Sequence, residues 1–249
     1  MNFGARGHDR VDVKWHFCLD DSGALPWMWA EGTAPEIDRL LPVRKPRSSK
    51  RNRHIPVRAF SVTNSRHLEL ESGLEHDLVR KLDRDPDVMW LVAQPFRLSW
   101  RNACASLRGH TPDLLALHSD GGVTVWDARA TPKQDDGFLV KAEITKHSCW
   151  QIGWRYEIFP GLGEVERLNL LWLHGFRRQP PWLAQCRDSI QKAASLDEAD
   201  LRSLLAADDG SGELITCVWH LVWTGELAVD LLSPIVEESR VTLGSCGHG

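Results

Sequence analysis

The 249-residue chain lacks several things that would have assigned it quickly. No apolar run approaches the ~20 residues of a membrane-spanning helix, so the reading carries no membrane. Met1 to Lys14 is polar and glycine-containing, which argues against a secretory leader. The six cysteines, Cys18, Cys104, Cys149, Cys186, Cys217 and Cys246, make no Cys-x-x-Cys pair. None stands at zinc-ligand spacing from a histidine pair, and the eleven histidines are dispersed. Reduced thiols and a cytoplasmic address are the expectation. A basic excess is missing too: net charge is -4, so any nucleic-acid contact has to come from local patches. No internal repeat is evident.

What remains is ordinary globular composition, 42% hydrophobic and 26% charged, enough for one large domain or two small ones. Residues 1–60 read as an irregular N-terminal arm. It holds one alternating stretch at Val11–Phe17 and a short helix at Ala34–Leu41. A basic segment follows, Arg44, Lys45, Arg47, Lys50, Arg51, Arg53 and Arg58, which either tracks phosphates or is a solvated linker.

Residues 61–165 read as a mixed sheet flanked by helices. Leu74, Leu78 and Leu82 make a helical stripe over Ser72–Asp83. Val88–Trp100 is extended and interrupted at Gln94-Pro95. Leu114–Leu117 and Val123–Trp126 are strands joined at Ser119-Asp120-Gly121-Gly122. Phe138–Cys149 is helical and Tyr156–Phe159 a strand. Residues 166–249 then show helices at Glu166–Leu173, Cys186–Ala194, Asp197–Ala207 and Leu214–Val222, followed by short strands at Gly225–Leu231 and Arg240–Leu243. The last three helices and the hairpin have a winged-helix layout. Trp150, Trp154, Trp172, Trp182, Trp219 and Trp223 are assigned to packing rather than to base stacking.

The chemistry concentrates at the hairpin. If Ser119-Asp120-Gly121 is a three-residue loop with Gly121 left-handed, His118 pairs with Gly122 and Asp113 lies opposite Asp127. Side chains alternate along a strand, so Asp127 and Arg129 then share a face with Asp113. A two-residue turn would put Asp113 on the other face. Two adjacent carboxylates repel unless a cation lies between them, and magnesium suits an all-oxygen set completed by water and phosphate. The Ala128 carbonyl is a further candidate oxygen. Glu75 is a third carboxylate, either the closing member of a Ser72-x-x-Glu75 capping box or a metal ligand. Glu71 is its fallback. Arg129 cannot serve as a base; it either clamps a phosphate or pairs with Asp127, and Lys141 is the alternative ammonium.

Glu71-Ser72-Gly73-Leu74-Glu75, Leu82–Val88, Gln94-Pro95, His110-Thr111-Pro112-Asp113-Leu114 and Val125-Trp126-Asp127-Ala128-Arg129 occur in one order. In that order the chain resembles the TnsA-like endonuclease subunit of heteromeric transposases, within the PD-(D/E)XK nuclease superfamily. Cys149, Gly153–Tyr156 and Leu170–Arg178 are similar to its actinobacterial branch. The likeness is best over residues 60–180. It implies a restriction-endonuclease-like core over 61–165 and a winged-helix-like domain over 166–249. It implies that Glu75, Asp113 and Asp127 hold magnesium, with manganese a substitute, and that Arg129 takes the place of the superfamily lysine. The implied activity is nicking of double-stranded DNA at the 5′ ends of a mobile element. The implied partners are a DDE-type transposase and, further off, an ATPase regulator. A stand-alone repair or restriction-type nuclease, and a non-cleaving module that binds DNA and partner, are the alternatives.

Overall fold

In a computed structural model, residues 12–19, 23–29, 34–44 and 56–244 are described. The central part of the basic segment and Cys246 lie outside the described residues. Along the chain the strands and helices are β1 (Lys14–Phe17), β2 (Leu25–Trp27), β3 (Val57–Ser61), β4 (Arg66–Leu70), α1 (Gly73–Asp83), β5 (Val88–Ala93), β6 (Phe96–Arg101), β7 (Leu107–His110), β8 (Leu114–His118), β9 (Val123–Ala128), α2 (Asp136–Gln151), β10 (Arg155–Phe159), α3 (Glu164–Leu173), α4 (Leu183–Ala194), α5 (Leu201–Leu205), α6 (Glu213–Thr224), β11 (Leu227–Ala228) and β12 (Thr242–Leu243). The class is mixed α and β. Internal contacts divide the chain into two discontinuous units, residues 1–52 with 90–159, and residues 53–89 with 160–249. This grouping differs from the sequence boundaries at 60 and 165. Among the described residues no helix is long and apolar enough to cross a membrane.

The first unit holds two four-stranded sheets, ordered β2-β1-β6-β7 and β10-β9-β8-β5. Lys14–Phe17 and Leu25–Trp27, read as part of an irregular arm, are sheet strands: β1 runs antiparallel to β6, with Trp15 opposite Leu98 and Phe17 opposite Phe96. The pairing spans some eighty residues of sequence, so no local pattern announces it. The expected helix at 34–41 is a single 3-10 turn at Ile37–Arg39. The break at Gln94-Pro95 is the β5–β6 turn, where Gln94 has a φ of 43°, rare for a side chain without local help. The apolar faces meet in one cluster that includes Trp15, Phe17, Phe96, Leu98, Leu115, Val125, Phe138, Cys149 and Tyr156. Full burial of each large side chain contributes about 1.5–3 kcal/mol. β10 pairs in parallel with β9, and α2 supplies the crossover that such a pair requires.

The second unit joins the β3–β4 hairpin and α1 to the C-terminal helices. Asp83, the last residue of α1, secures the hairpin turn: it accepts the Ser61 hydroxyl at 2.6 Å and the Val62 and Thr63 N–H groups at 2.9 Å. α4, α5 and α6 pack around Leu173, Ile190, Leu204, Val218, Leu221 and Trp223. α5 is shorter than the periodicity suggests. Its N-cap is Asp200, whose carboxylate takes the Ser203 N–H, so the helix starts later than the expected Asp197. Asp208 organises the start of α6 by accepting N–H groups from Gly210, Gly212, Leu214 and Ile215. β11 and β12 pair antiparallel over two residues each, far less than the strands expected there.

The tryptophans divide. Trp154, Trp219 and Trp223 are buried, as packing requires, while Trp150 and Trp172 are exposed at 73% and 58%.

Candidate active site

The β8–β9 loop has the geometry on which the site depends. Gly121 has a φ of 79°, a conformation glycine adopts without steric penalty. Its N–H donates to His118 C=O at 3.0 Å, and the His118 N–H donates to Gly122 C=O at 2.8 Å. Asp120 Oδ1 takes the Gly122 N–H and stiffens the turn. The ladder then reads Leu117 opposite Val123, Leu115 opposite Val125 and Leu114 opposite Trp126. One further step sets Asp113 across from Asp127. There one backbone bond and one side-chain bond join the strands: the Asp113 N–H donates to Trp126 C=O at 3.0 Å, and Asp113 Oδ2 accepts the Ala128 N–H at 2.8 Å.

Asp127 lies on the same strand face as Val123 and Val125, both core residues, and is 2% exposed. An ionised carboxylate buried this far has to be hydrogen-bonded. Its Oδ2 meets His110 Nε2 at 2.7 Å and accepts the Tyr156 hydroxyl at 2.5 Å. His110 ends β7 and Tyr156 belongs to β10, so the carboxylate is held from both sheets of this unit. Oδ1 accepts no hydrogen bond from a described residue. Burial, then the charge of Asp127, raises the Tyr156 hydroxyl well above the usual phenol range, and Asp113 adds to the shift. Burial and the charge of Asp127 push the Cys149 thiol to about 12. Both groups register the negative potential of Asp127, and Tyr156 that of Asp113 as well.

The other expected residues are placed differently. Arg129 follows β9, but its side chain turns toward the segment leading into α2. Nε donates to Lys133 C=O at 2.7 Å, Nη2 stands 3.5 Å from Asp135, and the guanidinium lies over the Phe138 ring at 5.4 Å. It pairs neither with Asp127 nor with Asp113 among the described residues. Glu75 belongs to the second unit and folds back on the N-cap of α1, without the bond to the Ser72 backbone N–H that a full capping box has. Its Oε1 accepts the Ser72 hydroxyl and its Oε2 the Glu71 N–H, each at 2.8 Å, while Ser72 Oγ accepts the Glu75 N–H. Lys141 is exposed on α2.

Three residues of this site were not singled out as functional by the sequence. His110 stands three positions before Asp113, a spacing that carries no meaning until β7 and β9 are seen together. Tyr156 is one aromatic in an alternating strand. Gln94 is fully buried, neither end of its amide finds a described partner, and its backbone N–H donates to Asp113 C=O at 2.9 Å.

Magnesium or manganese prefers hard oxygen and commonly uses one or two carboxylates with waters and phosphate. The unbonded Oδ1 of buried Asp127, beside a second carboxylate, fits such an ion. Among the described residues no group of three or more His, Cys, Asp or Glu forms a cage for a metal. No protein-family model matches this chain, and no curated protein matches it.

Proposed function

We propose that this chain is a magnesium-dependent DNA endonuclease, the subunit of a heteromeric transposase that nicks the 5′ ends of a mobile element beside a DDE-type transposase. The observation that carries the reading is the Asp113–Asp127 pair, set by the loop register at the end of β8 and β9. The succession α1, β5, β8, β9, α2, β10 supports it, with sheet order β5-β8-β9-β10 and a parallel last pair. This is the arrangement expected of a restriction-endonuclease-like core. The three helices and short hairpin after residue 183 suit a winged-helix-like module for partner or DNA, and an ATPase regulator belongs to the same proposal.

In this reading Asp113 and Asp127 hold the ion. When bound, magnesium supplies Lewis acidity at the phosphoryl oxygen and lowers the pKa of a water. His110 and Tyr156 hold Asp127 Oδ2, which leaves Oδ1 as the oxygen for the cation. The Ala128 N–H fixes Asp113. Glu75 enters as third carboxylate on the sequence resemblance alone. Arg129 keeps the place of the superfamily lysine, and its charge acts at a distance rather than by contact while it is tied to Lys133 and Asp135.

A non-cleaving module that binds DNA and partner is the second reading. The engagement of Glu75 in its cap and of Arg129 in its loop favours it. Incubating the protein with its partner transposase, magnesium and an end-labelled transposon-end duplex separates the two. Cleavage at the 5′ ends that Asp113→Ala and Asp127→Ala abolish, with DNA binding kept, supports the nuclease. Binding without cleavage in the parent supports the module.

A further inference from the structure

The second unit carries a group of cations that the proposed nuclease chemistry does not use. Arg80 is on α1 and is 9% exposed. Arg167 is on α3, and His174 and Arg177 follow it in the Leu170–Arg178 segment. Asp77 serves two of these cations, taking Arg80 Nη1 on Oδ1 at 2.5 Å and Arg167 Nε on Oδ2 at 2.7 Å. Both of its oxygens are therefore engaged. Arg177 forms no ion pair with a described residue; its Nη1 donates to His174 C=O at 2.8 Å. Its charge nevertheless acts on Arg80, His76 and His174, lowering the pKa of each.

The two histidines complete the group. His76 Nδ1 meets Arg80 Nη2 at 2.9 Å, and the His76 and His174 rings meet edge to face at 5.8 Å. Asp83, whose charge reaches His174, is committed to the β3–β4 turn. The Nε–H groups of Arg80 and Arg177 are buried and find no acceptor among the described residues. Two guanidiniums thus share one fully engaged carboxylate and the third, Arg177, has none among the described residues, in a half-buried setting where repulsion is poorly screened. An orphaned buried donor is a further cost.

We infer that Arg177, with Arg80, Arg167, His76 and His174, forms an oxyanion site that takes a phosphate group. A phosphate offers several acceptors at once and a charge opposite to that of the cluster, and guanidinium is its preferred protein partner. The inference does not depend on the aspartate pair. Its phosphate comes either from a DNA backbone or from a free phosphate-bearing molecule.

Thermal unfolding of the full chain at pH 7.5, in sodium phosphate against sodium chloride of equal ionic strength, tests it. The expected Tm rise is about 3–6 °C at phosphate tenfold above its Kd. Arg177→Gln should lose that rise, yet melt no lower than the parent in chloride, because it removes repulsion. Should Arg177→Gln fail to fold, Arg167→Gln, which alters the more exposed guanidinium, is expected to lose the rise in the same way. A weakened DNA affinity in the variant, with a salt slope reduced by about one, assigns the phosphate to a DNA backbone. Unchanged DNA affinity with the phosphate effect lost assigns it to a small molecule. Equal Tm in phosphate and chloride, or a phosphate rise that survives the substitution, overturns the inference.

Discussion

The Tyr156 hydroxyl donates to Asp127 Oδ2 at 2.5 Å, the same oxygen that His110 reaches from the other sheet. Two donors on one oxygen leave a buried carboxylate asymmetric. One side is fixed by the protein; in the proposed function the other is the oxygen for the cation.

Tyr156→Phe removes one donor and keeps the ring. A buried carboxylate short of a hydrogen bond costs about 1–3 kcal/mol, read as a lower urea midpoint at unchanged slope. Partners that orient a metal ligand typically contribute 10–100-fold in metal affinity, so manganese binding should weaken by that factor. Manganese affinity within twofold of the parent would remove Tyr156 from the account of the site.

Deleting Gly121 converts the three-residue loop into a two-residue turn. The register then shifts by one and Asp113 moves to the opposite face. Cleavage of a transposon-end duplex should fall to the level of Asp113→Ala. A deletion variant that stays folded by circular dichroism and cuts at the parental rate would show that the opposition of Asp113 and Asp127 is irrelevant.

Arg129 is expected to matter less than its sequence position suggests. With its guanidinium on Lys133, Asp135 and Phe138, Arg129→Gln should lower the cleavage rate less than tenfold. Asp127→Ala should abolish cleavage. Equal losses in single-turnover assays would return Arg129 to direct contact with the phosphate.

Acid should weaken the second unit in a defined window. Burial, followed by arginine charge, holds His76 and His174 near 4, below the ordinary 6.5. The unfolded chain therefore binds more protons than the folded one between those values. The neutral histidines' contribution to stability is present above pH 6.5 and is lost as pH falls through about 4. Denaturant unfolding followed between pH 7.5 and 4 should show this loss, and His174→Gln should flatten it. An unchanged slope in that variant would contradict the assignment.

Much of the local structure was legible in the sequence. Ser119-Asp120-Gly121-Gly122 announced the loop because glycine tolerates the left-handed conformation the turn needs, and the apolar spacing of α1 exposed its buried face; that of α2 did not, since Leu139 and Val140 are exposed while Thr145 and Ser148 are buried. Distant convergence was not legible. The pairing of β1 with β6 and the meeting of His110 and Tyr156 on Asp127 are products of tertiary packing. Local ambiguity accounts for the rest. Asp197 and Asp200 are equally good cap residues by type, and Trp150 and Trp154 are four positions apart with opposite burial. Glu75 is engaged at the start of its own helix, on the Ser72 hydroxyl and the Glu71 N–H, whereas its role as a ligand still rests on the resemblance.

Calorimetric titration of the purified protein with manganese tests the central claim most directly. The account predicts a saturable binding event in the parent that Asp113→Ala and Asp127→Ala each remove, while both variants stay folded. No binding by the parent, or binding that both variants retain, would contradict it.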